Sequence, residues 1–368
     1  MSSGPRRSPL HSWHVAHKAA FAEFAGWEMP REYPTGVLAE HQAVRTAVGI
    51  FDVSHLGKII VRGPGAREFA NRCLTNDLDR IGPGRAQYTL CCRDDGGIVD
   101  DLIVYLRSDD DLLLIPNAAN AATVAEILGR DVPDGVQIAD RHADFAVLAV
   151  QGPASAAVLD AAGLPRPHQY MSFLEAGDGF TVCRTGYTGE LGYELVVPSE
   201  QAEKIWQRLI EVGERFGITP CGLGARDTLR TEMGYPLHGQ DISPEVTPNQ
   251  ARLGWAVGWR KPAFRGRDAL LAERERGPSR LLRGLRVTGG GIPRPGMAVV
   301  RADDAGEVIG RVTSGTFSPT LRMGIGLALL DPSVAAGDSV AVDIRGRRVP
   351  AVVVDPPFVD ADPRRDPA

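Results

Sequence analysis

Several residue patterns that mark common protein classes are missing from this chain. Its 368 residues include only five cysteines, scattered along the sequence, and no Cys-x-x-Cys pair occurs. This usage supports neither a zinc ribbon nor a redox motif. No apolar run approaches the roughly 20 residues that span a bilayer, since the longest uninterrupted one is "FAVLAV" at positions 145–150. A reducing, cytoplasmic setting is expected.

Excess positive charge is also missing. The formal net charge is −5 and the isoelectric point is about 5.9, so the chain lacks the strong positive field that nucleic-acid binding requires. The N-terminal "MSSGPRRSPL" is basic but has no apolar stretch behind it, and it is not expected to act as a secretory signal. Walker A, His-Glu-x-x-His and Gly-x-Ser-x-Gly motifs do not occur.

A metal site is not expected either. His11, His14 and His17 follow one another at three-residue steps in "HSWHVAH". On a helix such positions drift around the axis, and no cysteine or carboxylate nearby completes a ligand set. A solvated or partly packed helix face is the better interpretation.

The elements that are present predict two or three domains of mixed structure. Helices are expected over about 12–24 and 37–48, and apolar residues at helical spacing predict a third over 200–217. Residues 24–34 are expected to form an ordered loop, because the two prolines in this stretch forbid a long helix. After Arg276, short β-like runs separated by Gly and Asp predict a small antiparallel barrel or sandwich.

The clearest local signal is a pair of carboxylates at the start of a strand. "YTLCC" and "IVDDLIVY" flank "RDDGG", and an Asp-Gly step between β-rich runs predicts a hairpin. Side chains alternate along a strand, so Asp100 shares a face with Leu102, and Asp101 shares the other with Tyr105. If Leu102 packs into the core, Asp101 faces a second surface or a cavity. The alternative is that both carboxylates are strand-end turn residues exposed to water.

A second polar cluster is "RTGYTGELGYE" at 184–194. Glycine lets the backbone approach a flat ligand, and tyrosine offers a stacking face with a polar edge. A decorated hairpin explains the same composition equally well. Farther along, Arg226 and Arg230 lie one helical turn apart, where they could bind a carboxylate or form a surface salt bridge.

Taken together, the motifs resemble one known family. They occur in the order "FAGWEMP", "FDVSHLGKI", "GGIVDDLIVY", "PNAAN", "VQGP", "RTGYTGELGYE", "GLGARDTLR" and "VTSGTFSPTL". In this order and spacing, from about residue 9 to 359, the chain resembles the T protein of the glycine cleavage system, an aminomethyltransferase. The resemblance implies an α+β, three-lobed folate-binding fold with a C-terminal antiparallel β-barrel. We expect a folate-binding region of two interleaved lobes over 1–275, the barrel over 276–360 and a frayed tail over 361–368.

The resemblance also implies a reaction and its partners. An aminomethyl group carried on the dihydrolipoyl arm of the lipoylated H protein passes to tetrahydrofolate, with release of ammonia. Tetrahydrofolate serves as the one-carbon acceptor, and neither a metal nor a flavin is implied. No nucleic-acid or membrane partner is expected.

Residue by residue, the resemblance implies a catalytic acid and a folate site. The family's central acid matches Asp101, with Asp100 as its support. Glu194 matches the acceptor for the adjacent N–H donors of a pterin, and Arg226 matches a folate-site arginine. Further folate-site positions are the channel residue Asn117 and the ring-packing candidates Tyr88, Tyr105, Tyr170 and Tyr187.

Two departures from the family pattern leave the donor open. The sequence has His238 in "LHG" where the family usually has Tyr, and Leu56 where Met is usual. One alternative is therefore a folate-dependent enzyme of the same fold that uses another N-, S- or O-methyl donor. Another is a non-catalytic folate-binding protein that assists iron–sulfur assembly, although the Lys-Gly-Cys-Tyr-x-Gly-Gln stretch of those relatives is absent.

Overall fold

The structure, a computed structural model, describes residues 4–177, 179–302 and 306–365. Its helices are α1 (His11–Ala16), α2 (Val37–Thr46), α3 (Ala66–Cys73), α4 (Ala121–Gly129), α5 (Ser155–Ala161), α6 (Ala202–Gly213), α7 (Leu223–Met233) and α8 (Arg267–Arg276). Its strands are β1 (Arg6–Arg7), β2 (Ala20–Phe24), β3 (Trp27–Glu32), β4 (Val48–Asp52), β5 (Ile59–Arg62), β6 (Arg85–Cys92), β7 (Ile98–Ser108), β8 (Asp111–Ile115), β9 (Gln137–Asp140), β10 (Phe145–Gln151), β11 (Phe173–Glu175), β12 (Thr181–Cys183), β13 (Gly192–Pro198), β14 (Ile218–Cys221), β15 (Leu281–Val287), β16 (Ala298–Arg301), β17 (Val308–Ser318), β18 (Met323–Leu330), β19 (Ser339–Ile344) and β20 (Arg347–Val354).

The N-terminal segment differs from its prediction. The helix expected over 12–24 ends at Ala16, and the chain then forms strand β2. The expected loop over 24–34 is largely strand β3, which pairs with β2 across a turn at Ala25 and Gly26. Both turn residues have positive φ, 51° and 79°, as a tight hairpin turn requires. The prediction was wrong because Ala-Gly is a weak turn signal and Pro30 argues against a strand.

The carboxylate pair lies in a five-stranded sheet of order β6-β7-β8-β5-β9. The predicted hairpin is present as β6 and β7, and it places Leu90 opposite Asp101 and Cys91 opposite Asp100. The glycine that leads into β7 is required by a close approach. A Cβ added at Gly97 would lie 2.0 Å from the Pro244 carbonyl oxygen.

Strand β7 is buried on both faces. Leu102 and Val104 belong to a core that includes Val124 of α4, whereas Tyr105 belongs to a second core with Phe51 of β4. The alternation expected for this strand is therefore confirmed. Asp100 lies on the side of α4, and Asp101 on the side of the neighbouring lobe.

The second lobe is built on a six-stranded sheet of order β11-β12-β13-β10-β4-β14. Its strand β13 pairs with β10 and β12, so that Glu194 lies opposite Ala149 and Cys183. Helix α7 packs closely against β3 and α2. A Cβ at Gly222 would lie 2.3 Å from the Arg31 backbone, which explains the glycine at the start of this helix.

The C-terminal part is a closed six-stranded barrel of order β15-β18-β17-β16-β19-β20. Buried polar contacts attach it to α7. Glu232 accepts hydrogen bonds from the Ser318 hydroxyl at 2.5 Å and from the Thr320 hydroxyl at 2.9 Å. Burial alone would raise the pKa of Glu232, but contacts with His41 and Arg45 lower it to about 2. Among the described residues, no helix is both long enough and apolar enough to cross a membrane.

Candidate active site

The two adjacent carboxylates of β7 have different surroundings. Asp100 is fully buried. It accepts hydrogen bonds from the backbone N–H and the side-chain amide of Asn117, both at 2.9 Å, and from the side-chain amide of Asn120 at 2.7 Å. These donors lie between the end of β8 and the start of α4. Asp100 therefore ties this loop to β7.

Asp101 is half-buried and has two side-chain donors. The Tyr88 hydroxyl donates to its Oδ2 at 3.0 Å, and the Asn117 amide donates to its Oδ1 at 2.8 Å. Burial raises the pKa of Asp101, and these two donors oppose the rise. Burial also raises the pKa of Asp100, to which the neighbouring charge of Asp101 adds. The alternative of two exposed turn residues is wrong.

Tyr88 connects Asp101 to an open cleft. Its ring stacks on Trp255, with centroids 5.2 Å apart and planes inclined by 24°. Both rings line a cleft of about 660 Å³, together with Tyr170 and Tyr235. Trp255 is 63% exposed, although tryptophan is highly buried on average. Trp255 was not predicted from the sequence, although a Trp beside Gly in a loop can indicate an exposed aromatic side chain.

The chain near its C-terminus forms another wall of this cleft. Residues 360–365 line it, and an Arg184 guanidinium N–H donates to the Arg364 carbonyl at 3.3 Å. The described part of the expected frayed tail, 361–365, thus contains no helix or strand yet contacts the folded lobes. Residues 366–368 lie outside the described ranges.

Glu194 lies at the end of a short hydrogen-bond chain. The Thr185 hydroxyl donates to its Oε2 at 2.5 Å, and the Tyr105 hydroxyl lies 3.1 Å from the Thr185 oxygen. Because the Thr185 hydrogen is used, Tyr105 is the donor in the second bond. The Tyr105 ring itself is buried in the core, edge-on to Phe173. Within this geometry Tyr105 positions Glu194 through Thr185, a residue that sequence reasoning did not single out.

Arg226 and Tyr187 form a stacked pair beside Glu194. The Arg226 guanidinium lies over the Tyr187 ring at 4.6 Å from its centroid. The Tyr187 hydroxyl donates to the Pro236 carbonyl. Burial lowers the pKa of Arg226, and the charge of Glu194 opposes this. The buried Arg226 Nη1 has no hydrogen-bond partner among the described residues, so its N–H groups remain for a ligand.

Arg230, one turn later, has a different role. Its guanidinium contacts Asp227 and Asp241, each at 2.7 Å, and it is almost fully buried. Its buried guanidinium therefore forms structural ion pairs rather than a surface salt bridge.

The acid and the stacked pair are electrostatic neighbours. Burial raises the pKa of Tyr187. The charge of Asp101 raises this pKa further, and the charge of Arg226 lowers it. Burial raises the pKa of Tyr88, with Asp101 as the next contributor. The site thus combines an anion, flat aromatic faces, and a guanidinium with an unused N–H. Such a set can bind a flat polar heterocycle and stabilise positive charge beside it.

Metal ligation finds no support in the part of the chain described. No three His, Cys, Asp or Glu side chains of these residues converge as a metal site requires. His14, one of the three spaced histidines, is buried with its Nε2 2.9 Å from Asp52.

Comparisons with known proteins show the family of the chain. Residues 10–261 match the family model of the GCVT N-terminal domain, and residues 280–360 match that of the glycine cleavage T-protein C-terminal barrel domain. The chain is 62% identical to an aminomethyltransferase of Frankia alni, over 98% of this chain and 99% of that protein. It is 57% identical to an aminomethyltransferase of Mycobacterium bovis, over 95% of this chain and 96% of that protein.

A solved structure gives the same result. The chain superimposes with a TM-score of 0.92 and 36% identity on the crystal structure of the glycine cleavage system aminomethyltransferase T from Bartonella henselae. The match covers 97% of this chain and 99% of that one. The fold and these relatives define an enzyme of the aminomethyltransferase class. Within that class, the chain belongs to the glycine cleavage T-protein family, which confirms the predicted family and fold.

Proposed function

We propose that this enzyme moves the aminomethyl carbon from the dihydrolipoyl arm of H protein to tetrahydrofolate and releases ammonia. The observation that carries the proposal is the position of the Asp101 carboxylate. It is half-buried and accepts a hydrogen bond from Tyr88, which lines an aromatic cleft. The names of the relatives and the family models support the same reaction class.

Asp101 supplies the fixed negative charge that this reaction requires. The transferred carbon becomes cation-like as nitrogen or sulfur leaves, and a nearby carboxylate stabilises that charge. The donors from Tyr88 and Asn117 hold the carboxylate in one orientation, so little reorganisation is needed during the reaction. Asp101 also orients the attacking folate amine and takes up a proton.

The remaining site residues bind the folate. Glu194 accepts hydrogen bonds from adjacent pterin N–H groups, a bidentate arrangement that suits a carboxylate. Arg226 donates from its unpartnered nitrogen. Tyr88, Tyr170 and Tyr187 contribute aromatic faces, which stack well on flat rings.

A reducing, cytoplasmic setting is part of the proposal. The five cysteines are all free and buried, and among the described residues none forms a disulfide. Free buried cysteines of this kind are usual in reducing compartments.

A coupled assay tests the proposed reaction. Purified enzyme is supplied with tetrahydrofolate and aminomethylated H protein, and ammonia release is followed with time. We expect release that requires all three components. If the enzyme instead demethylates a small N-, S- or O-methyl compound and leaves the loaded H protein untouched, the proposal is wrong.

A further inference from the structure

His238, where the chain departs from its family pattern, contacts the loop that supports the acid. It lies in the segment after α7, with its Nε2 3.2 Å from the Ile98 carbonyl and its Nδ1 3.0 Å from the Asn120 amide nitrogen. A carbonyl oxygen only accepts, so Nε2 carries the hydrogen. Nδ1 is then the acceptor of the Asn120 N–H.

Asn120 transmits this contact to the carboxylates. One hydrogen of its amide points to the Asp100 Oδ1 at 2.7 Å, and the other points to His238. A flipped amide would place its oxygen against both acceptors, so His238 selects the orientation that serves Asp100. Asp100 in turn holds Asn117, whose amide reaches the Asp101 Oδ1 at 2.8 Å.

We infer that His238 is a positioning residue, which fixes the reacting carboxylate Asp101 through Asn120, Asp100 and Asn117. This inference rests on the role proposed above for Asp101. Of the described charged groups near His238, the Asp101 carboxylate interacts with it electrostatically. Asp241, three residues further on, is paired with Arg230 at 2.7 Å.

The chemical consequence is control of the proton on the carboxylate pair. Two adjacent carboxylates with little solvent favour protonation of one of them. Each hydrogen-bond donor that stays in place stabilises the charged form of the carboxylate that it contacts. Without the acceptor at position 238, Asn120 is free to turn, Asp100 loses a donor, and the pair retains a proton to higher pH.

Two substitutions separate positioning from simple packing. H238L removes the acceptor, whereas H238N offers an amide oxygen where Nδ1 now lies. The exposed His168, replaced by Leu, serves as the matched control. We expect H238L to lower kcat about tenfold, the effect of one hydrogen bond of ordinary strength, with little change in KM for tetrahydrofolate. The acid limb of its kcat–pH profile moves to higher pH, and H238N restores most of both properties.

Equal kcat and pH profiles for wild type and H238L would overturn the inference, as would an H238N variant as impaired as H238L. If the wild type shows no aminomethyl transfer, the proposed reaction fails separately. The inference is then tested by a 13C titration of the aspartate carboxylates, assigned with D101N. The H238L substitution must raise the pH at which the Asp101 signal titrates, and an unmoved signal contradicts the inference.

Discussion

Replacing Asp101 by Asn should remove the charge of the site while keeping its shape. The variant's amide oxygen can accept the Asn117 hydrogen bond, and its amide nitrogen can donate to the Tyr88 hydroxyl, which is able to rotate and accept. Both partners of the carboxylate are thereby retained. The substitution therefore isolates the electrostatic contribution of one side chain.

The size of the effect is worked from Coulomb's law at a typical contact distance. A unit charge about 4 Å from a cation, at an effective dielectric constant of about 20, contributes about 4 kcal/mol. The transferred carbon carries only part of a unit charge, and Asp101 is half-buried rather than fully buried. We therefore expect kcat to fall by roughly 100-fold to 1000-fold, since each 1.4 kcal/mol or so corresponds to about a factor of 10.

The assay is ammonia release at saturating tetrahydrofolate and loaded H protein, alongside calorimetric titration of folate. D101N should bind folate nearly as well as wild type but turn over slowly. The matched control is D94N on the same hairpin, because the Asp94 side chain is 89% exposed. A D101N enzyme with normal kcat would refute the electrostatic role. Equal losses in D101N and D94N would show a defect of the hairpin instead.

Three further outcomes are expected. Replacing Glu194 by Ala should raise the folate Kd at least about tenfold, because a charged hydrogen-bond acceptor is lost, and an unchanged affinity in calorimetry would exclude its pterin contact. The pKa of Glu232 is about 2, below its ordinary 4.5, so its contribution to the free energy of unfolding is complete above pH 4.5 and disappears as the pH falls toward 2. At neutral pH this contribution is about 3 kcal/mol at most. Denaturant unfolding should show that the difference in unfolding free energy between wild type and E232Q becomes smaller below pH 4.5. A difference that does not vary with pH contradicts this. Replacing buried Leu102 by Ala should cost about 2–5 kcal/mol of unfolding free energy, against almost nothing for the exposed Val308, and equal effects would contradict the packing described for β7.

Local signals in the sequence were sufficient where one strand and its turn decide the structure. The Asp-Gly step predicted the β6–β7 hairpin, and alternation along β7 separated Asp100 from Asp101. Both rules depend on a few neighbouring residues and on backbone geometry alone. The turn rule failed at Ala25 and Gly26, because Ala25 adopts a positive φ that residues other than glycine rarely take.

The rest of the site depends on contacts between distant parts of the chain. The contact of Asn120 with His238 joins residues 118 positions apart, and Tyr88 meets Trp255 from a distant part of the chain. No periodicity encodes such pairs. Family resemblance supplied the identities of Asp101, Glu194 and Arg226, whereas the supporting hydrogen bonds became visible only in the folded structure.

The most direct test of the central claim is a crystal structure of the enzyme with a bound reduced folate. We expect the pterin to lie with its reactive amine within hydrogen-bond reach of the Asp101 carboxylate, and with its N–H edge toward Glu194. A folate bound elsewhere, with Asp101 facing only protein or water, would contradict the account.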